Sequence, residues 1–334
     1  MTLCLDAATG KELWRDRTAV DGQFMLKSAA KFHGRGPFSS PAVADGRLFT
    51  FSIRGTLSCL EAKTGKVHWR NDFLDSFPMP YPIYGTAVSP FILDGACVVH
   101  VGGDKKGALV ALDMAGGKTR WSWDGDGPGY ATPILAVIGG TSQLITQTQS
   151  KAVGLAPGDG KLLWEVDYKT SWDENSVTPV VFETLVILSG RGNGIVAYRL
   201  DGEKPEPAWK TTEVSMYMSS PVVKGERLFG FSDTRKGQFF CLDVKNGKTL
   251  WTGEGRQGDN GALLDAGDVI LALVTPRPDA LESATLIVFD AGDKEYVERA
   301  RYKVSETPAW AHPVVSGRSI FVKDRTKLTQ WILR

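Results

Sequence analysis

The sequence predicts an all-β chain folded as one β-propeller of four-stranded antiparallel blades across residues 1–334. Three observations predict it. A Gly-Lys-x-x-Trp mark recurs, running to Trp14, Trp69, Trp121, Trp164 and Trp251, with a stretched copy ending at Trp209. The copies are spaced by roughly 40–55 residues, the period of a propeller blade. A proline opens a short apolar run in most units, at Pro41, Pro90, Pro133, Pro179, Pro221 and Pro313. The composition holds 37 Gly and 10 Trp, an excess that many tight turns and one repeated aromatic contact would both draw on. A β-sandwich has no reason to carry the same mark once in every four strands.

Each element follows in order. Residues 1–16 supply only the third (C) and fourth (D) strands of a blade. Phe24 to Phe32 is the one plausible short helix. In the first complete unit, Ser40-Pro41-Ala42-Val43 is strand A, with the proline at a strand start. Asp45-Gly46 is a turn, Arg47 to Ser52 is strand B, and Thr56 to Glu61 is strand C. Lys63-Thr64-Gly65-Lys66 is a hairpin turn that uses glycine at positive φ, and Val67-His68-Trp69-Arg70 is strand D. Later units repeat the scheme. The one around Gly261-Ala262-Leu263-Leu264 lacks the proline, and its degenerate turn at Gly292-Asp293-Lys294 is expected to lead to an aromatic anchor at Tyr302. Residues 307–334 supply strands A, B and C only. If Lys11 to Arg15 closes that last blade the count is seven; an eight-bladed parent is the other reading.

A tryptophan on the outer strand can lie flat on the neighbouring blade and bury a large area there. Trp14, Trp69, Trp121, Trp164, Trp209 and Trp251 are therefore expected to pack the girdle between blades rather than stack a ligand. Cys4, Cys59 and Cys241 share one repeat position on different blades. Packed sheets lie about 10 Å apart, too far for a disulfide, so free thiols are expected, Cys97 included. Lys+Arg is 39 against Asp+Glu 38, a net charge of +1, which argues against a nucleic-acid partner. No apolar run approaches the roughly 18 residues of a transmembrane helix. Met1-Thr2-Leu3-Cys4-Leu5-Asp6 has neither region of a signal peptide, so a periplasmic or exported protein is expected only if residues precede Met1.

The repeat carries a family resemblance. Ala111-Leu112-Asp113-Met114-Ala115-Gly116-Gly117-Lys118-Thr119-Arg120-Trp121 resembles the tryptophan-docking repeats of pyrroloquinoline quinone (PQQ) dehydrogenases and their relatives, and residues 241–251 carry a second close copy. Proteins of this kind include quinoprotein alcohol dehydrogenases and the scaffold lipoprotein of the outer-membrane β-barrel assembly machine. The dehydrogenases stack the quinone between a Trp and a disulfide of adjacent cysteines, and hold calcium with Glu and Asn beside an Asp base. This chain has no adjacent cysteines, and no such acidic set can be carried over. The expectation is a non-catalytic binding or interaction scaffold without cofactor or metal, working as a monomer. A PQQ- and calcium-dependent oxidoreductase of alcohols or sugars is the alternative.

Other motifs carry little chemistry. Asp124-Gly125-Asp126-Gly127 opens like a calcium loop but has Leu135 where the twelfth-position Glu belongs, so it reads as a turn. Gly117-Lys118-Thr119 and Gly247-Lys248-Thr249 fall on β-turns and are not phosphate loops. No G-x-S-x-G occurs. Strand order places the D–A and B–C connections on one face. That face has the longest segments, residues 15–38 and 70–88, and aromatics just before strand A. Tyr84, Tyr130, Trp172, Tyr217 and Trp310, with Asn175, Asp259, Asn260 and His312, form the candidate site at the channel mouth; Tyr81, His33 and Arg35 lie in the same loops. An aromatic mouth with few polar groups suits a protein or a small polar ligand. Basic B–C loops (Arg54, Lys151, Arg191, Arg235) and acidic D–A loops (Asp72, Asp126, Asp173, Glu174) are expected to form a basic ring around an acidic mouth.

Overall fold

The structure is a computed structural model that describes residues 1–18, 36–74, 76–77, 82–103, 106–202, 204–276 and 283–333. The expected helix at 24–32, and Tyr81, His33 and Arg35, lie outside the described residues. A hairpin of β1 (Thr2–Leu5) and β2 (Glu12–Asp16) comes first. Blade 1 is β3 (Ala42–Ala44), β4 (Arg47–Phe51), β5 (Thr56–Glu61) and β6 (Val67–Asp72). Blade 2 is β7 (Phe91–Leu93), β8 (Ala96–Gly103), β9 (Lys106–Asp113) and β10 (Thr119–Trp123). Blade 3 is β11 (Ile134–Ile138), β12 (Thr141–Gln147), β13 (Lys151–Leu155) and β14 (Leu162–Asp167). Blade 4 is β15 (Val180–Phe182), β16 (Leu185–Gly190), β17 (Gly194–Arg199) and β18 (Glu206–Thr211). Blade 5 is β19 (Val222–Lys224), β20 (Arg227–Ser232), β21 (Gln238–Asp243) and β22 (Thr249–Thr252). Blade 6 is β23 (Asn260–Ala266), β24 (Val269–Thr275), β25 (Thr285–Asp290) and β26 (Glu298–Lys303). Blade 7 has three strands, β27 (Val314–Ser316), β28 (Ser319–Lys323) and β29 (Leu328–Ile332).

The protein is an all-β, seven-bladed propeller. Each blade is an antiparallel meander in chain order, and each proline of the A-strand series immediately precedes its strand. There its missing N–H removes nothing from the ladder. The core lies between blades. Phe49, Leu57 and Cys59 of blade 1 pack with Cys97, Val99 and Val110 of blade 2, and the same pattern joins each later pair through blades 6 and 7. A blade presents one apolar face to each neighbour, so no blade has a core of its own.

The tryptophans lock those faces. Trp14 Nε1 donates to Ala62 O at 3.1 Å, Trp69 to Met114 O at 3.0 Å and Trp121 to Pro157 O at 3.0 Å. Trp209 donates to Val244 O at 3.0 Å and Trp251 to Gly292 O at 2.9 Å. Each carbonyl belongs to the C–D turn of the following blade. The ring lies on that turn's glycine: a Cβ added at Gly65 would sit 2.5 Å from Trp14, and one at Gly117 2.7 Å from Trp69. Gly160 and Gly247 are covered likewise by Trp121 and Trp209. These glycines also have φ between 69° and 72°, so both backbone and ring require glycine. The turn is held by an aspartate where one is present: Asp113 Oδ1 accepts the Ala115 and Gly116 N–H groups at 2.9 Å.

Three sequence expectations change. Trp164 packs against the apolar cluster between blades 3 and 4 as expected, but its N–H goes to Gln143 of its own blade at 2.6 Å rather than to the next turn, and its ring lies over its own Gly154. Ala300, opposite Val288, holds the girdle register of blade 6; Tyr302 pairs with Leu286 and is exposed. The anchor is lost there because β26 carries small and charged residues, and Trp331 reaches back to Val304 O at 3.2 Å. Last, β2 pairs with β1 in a sheet of its own rather than supplying a D strand to β29. The four thiols are free. Cys4, Cys59 and Cys241 each face a girdle tryptophan across the C–D ladder, and burial pushes the Cys241 thiol up to about 12.

Trp121 and Trp251 are buried, so replacing either with Ala removes a large inter-blade contact. The expected cost is roughly 3–5 kcal/mol in denaturant unfolding. Tyr302→Ala, outside the register, should unfold close to the parent.

Candidate functional site

D–A and B–C connections interleave on one face. Gln149 of the β12–β13 loop donates its backbone N–H to Gly127 O in the loop before blade 3, at 2.9 Å. Asp126 fastens the same two loops. Its Oδ2 accepts the Ser150 N–H at 2.8 Å and the Thr148 and Ser150 hydroxyls, and its Oδ1 accepts the Gly127 N–H. Those partners fill the acceptor positions, which makes the Asp124–Gly127 segment a brace. In the last blade Asp324 of the β28–β29 loop accepts N–H groups from Glu306 and Thr307.

Three loops converge on a buried carboxylate. Glu174 is 4% exposed and accepts the Tyr84 hydroxyl at 2.9 Å. Tyr217 stands near both, close enough that the Glu174 charge acts on its hydroxyl. Tyr130 packs edge-on to Tyr84, ring centres 5.7 Å apart, and its hydroxyl accepts the Tyr84 N–H. Arg191, from the β16–β17 loop, lies 4.8 Å from the Tyr217 ring centre and 3.9 Å from Glu174. An arginine over a tyrosine face beside a carboxylate is a cation held by both ring and charge. Burial first, and the Glu174 charge after it, raises the ionisation of Tyr84 and Tyr217 above ordinary tyrosine, and burial does the same for Tyr130.

Trp172 stands beside this cluster and is 72% exposed. It sits in a short 3-10 turn, Ser171–Asp173, where Trp172 has φ 65° and Asp173 φ 56°. Two successive non-glycine residues in the left-handed region cost roughly 1–3 kcal/mol each, a strain that recurs at functional positions. Asp173 is tied down by Lys169 at 2.9 Å and by Gln149 at 3.3 Å.

The other candidates divide. Asn175 is fully buried; its side-chain N–H donates to Thr148 O, Gln149 O and Tyr168 O, and its backbone O accepts the Tyr130 N–H. Its amide N–H groups brace the loops, while its Oδ1 has no hydrogen-bond partner. Asn260 is buried too, its Oδ1 accepting the Ser219 hydroxyl at 2.9 Å. Asp259 is half-buried, with its N–H on Thr275 O. Trp310 is half-buried and His312 exposed, both on the loop before blade 7. The structure thus joins Tyr84, Tyr130 and Tyr217, with Trp172 alongside. Their centre, Glu174, and its partner Arg191 entered the sequence reading only as loop charges. Two of the basic loop residues pair with acidic ones: Arg54 with Asp72 at 3.0 Å, and Arg191 faces Glu174 at 3.9 Å.

Residues 2–253 match the family model described as outer membrane protein assembly factor BamB. The chain belongs to the BamB family. Among curated relatives, BamB of Yersinia pestis is 22% identical over 266 residues, 74% of this chain and 60% of that protein. Quinohemoprotein alcohol dehydrogenase ADH IIB of Pseudomonas putida is 27% identical over 282 residues, 74% of this chain and 38% of that enzyme. The chain therefore spans less than two thirds of either. Among solved structures, BamB of Moraxella catarrhalis superposes with a TM-score of 0.65 at 12% identity, covering 89% of this chain and 83% of that one. Quinohemoprotein alcohol dehydrogenase ADHIIG of Pseudomonas putida gives 0.62 at 13%, covering 96% and 66%. At these identities both structures bear on fold alone.

The tyrosine cluster has a pH signature. In the unfolded chain these phenols ionise near pH 10, and in the folded BamB-like chain later. Stability is complete below about pH 10 and falls as pH rises toward the folded values. Absorbance titration should show delayed phenolate formation, and Tyr130→Phe should reduce the alkaline loss of stability.

Proposed function

We propose that this chain is a non-catalytic interaction propeller that takes a polypeptide partner at the mouth built by Tyr84, Tyr130, Tyr217 and Glu174, with Trp172 as the first contact. The single observation that supports this reading most is Trp172: a large aromatic, mostly in solvent, held there by strained backbone beside a buried, hydrogen-bonded polar cluster. Exposed aromatics next to a rigid polar rim are how interface hot spots are built. The family's description as an assembly factor fits a protein partner.

A quinoprotein oxidoreductase is the other reading, favoured by the names of several relatives. The residues of this chain do not fit a quinone and its calcium. No two cysteines adjoin. Three of the cysteines lie against girdle tryptophans. Among the described residues no group of three or more His, Cys, Asp or Glu could hold a metal ion.

A photo-crosslinking amino acid placed at Trp172 should give discrete protein adducts in cells. The same group at the exposed Leu162, which follows a C–D turn on the opposite face, should give none. Equal labelling from both sites, or none from Trp172, would overturn the proposal.

A further inference from the structure

Eight non-glycine residues among those described have positive φ. Asp45, Asp94 and Glu183 occupy two-residue A–B turns, where that conformation closes a tight hairpin. Trp172 and Asp173 belong to the tyrosine mouth. The other three are all basic and lie in one place: Arg235 at 50° and Lys236 at 63° in the β20–β21 loop, and Arg256 at 64° in the β22–β23 loop. Backbone of this kind persists only where its surroundings hold it there.

The surroundings here are a second stretch of backbone. The Arg256 N–H donates to Arg235 O at 2.9 Å, the Gln257 N–H to Gly237 O at 3.1 Å and the Gly258 N–H to Lys236 O at 3.3 Å. The two loops approach too closely for side chains between them. A Cβ at Gly255 would lie 2.9 Å from Arg235 O, and one at Gly237 would collide with Gly258 O. Zipped together, the loops leave all three cationic residues exposed. Arg235, Lys236, Gly255 and Arg256 line one cleft of about 400 Å³.

None of these three side chains has a hydrogen bond or ion pair among the described residues. Other loop cations are matched: Arg54 pairs with Asp72, Lys151 with Glu165 and Lys169 with Asp173. Three like charges held around one cleft with no counter-charge concentrate anions there. A neighbouring cleft of about 760 Å³ shares Arg235 but is lined by Glu254, Glu295 and Glu298. Its Arg301 is engaged, by both Glu298 oxygens at 2.8 Å and by Gln257 at 2.9 Å. A long polyanion would run from the cations onto those carboxylates. A compact, multiply charged oxyanion meets the cations alone, and guanidinium forks match the oxygens of a phosphate.

We infer that the cleft between the β20–β21 and β22–β23 loops binds a compact phosphate-bearing ligand. Arg235 and Arg256 donate to the phosphate oxygens, and Lys236 supplies the third positive charge. The chemistry recognised is that of a phosphomonoester or diphosphate group, carried by a small soluble molecule or by a lipid headgroup. The site is separate from the tyrosine mouth and stands whether or not a polypeptide binds there.

The probe is inorganic pyrophosphate, titrated calorimetrically into the full chain at low ionic strength. One saturable site is expected, weakened about tenfold or more by Arg235→Gln and by Arg256→Gln. Trp172→Ala should leave it unchanged, as should Lys245→Gln in the C–D turn on the opposite face of blade 5. On the unaltered protein, pyrophosphate should slow phenylglyoxal labelling of Arg235 and Arg256 but not of the exposed Arg318, so the test survives a variant that folds poorly. Co-sedimentation with vesicles containing phosphatidic acid would assign the phosphate to a lipid; pyrophosphate binding without vesicle capture would assign it to a soluble ligand. Absence of saturable binding, equal weakening by Lys245→Gln, or equal protection of Arg318 would overturn the inference. So would tighter binding of a glutamate-rich peptide than of pyrophosphate.

Discussion

The structure depends on one contact: an indole laid flat on a left-handed glycine of the next blade, with its N–H on a carbonyl of the same turn. It couples backbone and side chain. The glycine is required for its φ and again because a Cβ would enter the ring. The aromatic is required to cover the exposed turn, and its hydrogen bond fixes the angle between sheets. Because each blade shares its core with its neighbours, this contact sets the blade-to-blade geometry that carries the loops. Tyr84, Glu174 and Tyr217 come from three different inter-blade loops and meet only because blades 2, 4 and 5 are held in register.

The contact also explains what was legible. A Trp, a Gly and a turn-forming Asp at fixed spacing are local signals, so blade positions, A-strand prolines and the free thiols could be read from the chain. The misplaced anchor at Tyr302 had a local cause. Aromatic identity pointed to Tyr302, whereas register is set by pairing, and pairing puts Ala300 opposite Val288. Trp164 keeps its place between blades 3 and 4 but bonds within its own blade, over Gly154, a residue on another strand that spacing does not reveal.

The site was less legible for the same reason. Tyr84, Tyr130 and Tyr217 could be found as aromatics ahead of A strands, but the residue that joins them could not. Glu174 has no periodicity; it becomes central because the strained turn at Trp172 and Asp173 points it inward toward loops 90 and 43 residues away in sequence. Asn175 and Asn260 read as ligands because they are polar and near the mouth. Both are buried, and the bonds they make hold the loops: Asn175 donates to three backbone carbonyls and Asn260 accepts the Ser219 hydroxyl.

The central claim is that this member of the BamB family binds without catalysing. Isothermal titration of the full chain with PQQ in the presence of calcium, followed by a dye-linked alcohol oxidation assay on the same sample, tests it most directly. The account predicts no tight quinone binding and no alcohol-dependent dye reduction; sub-micromolar binding with turnover would contradict it.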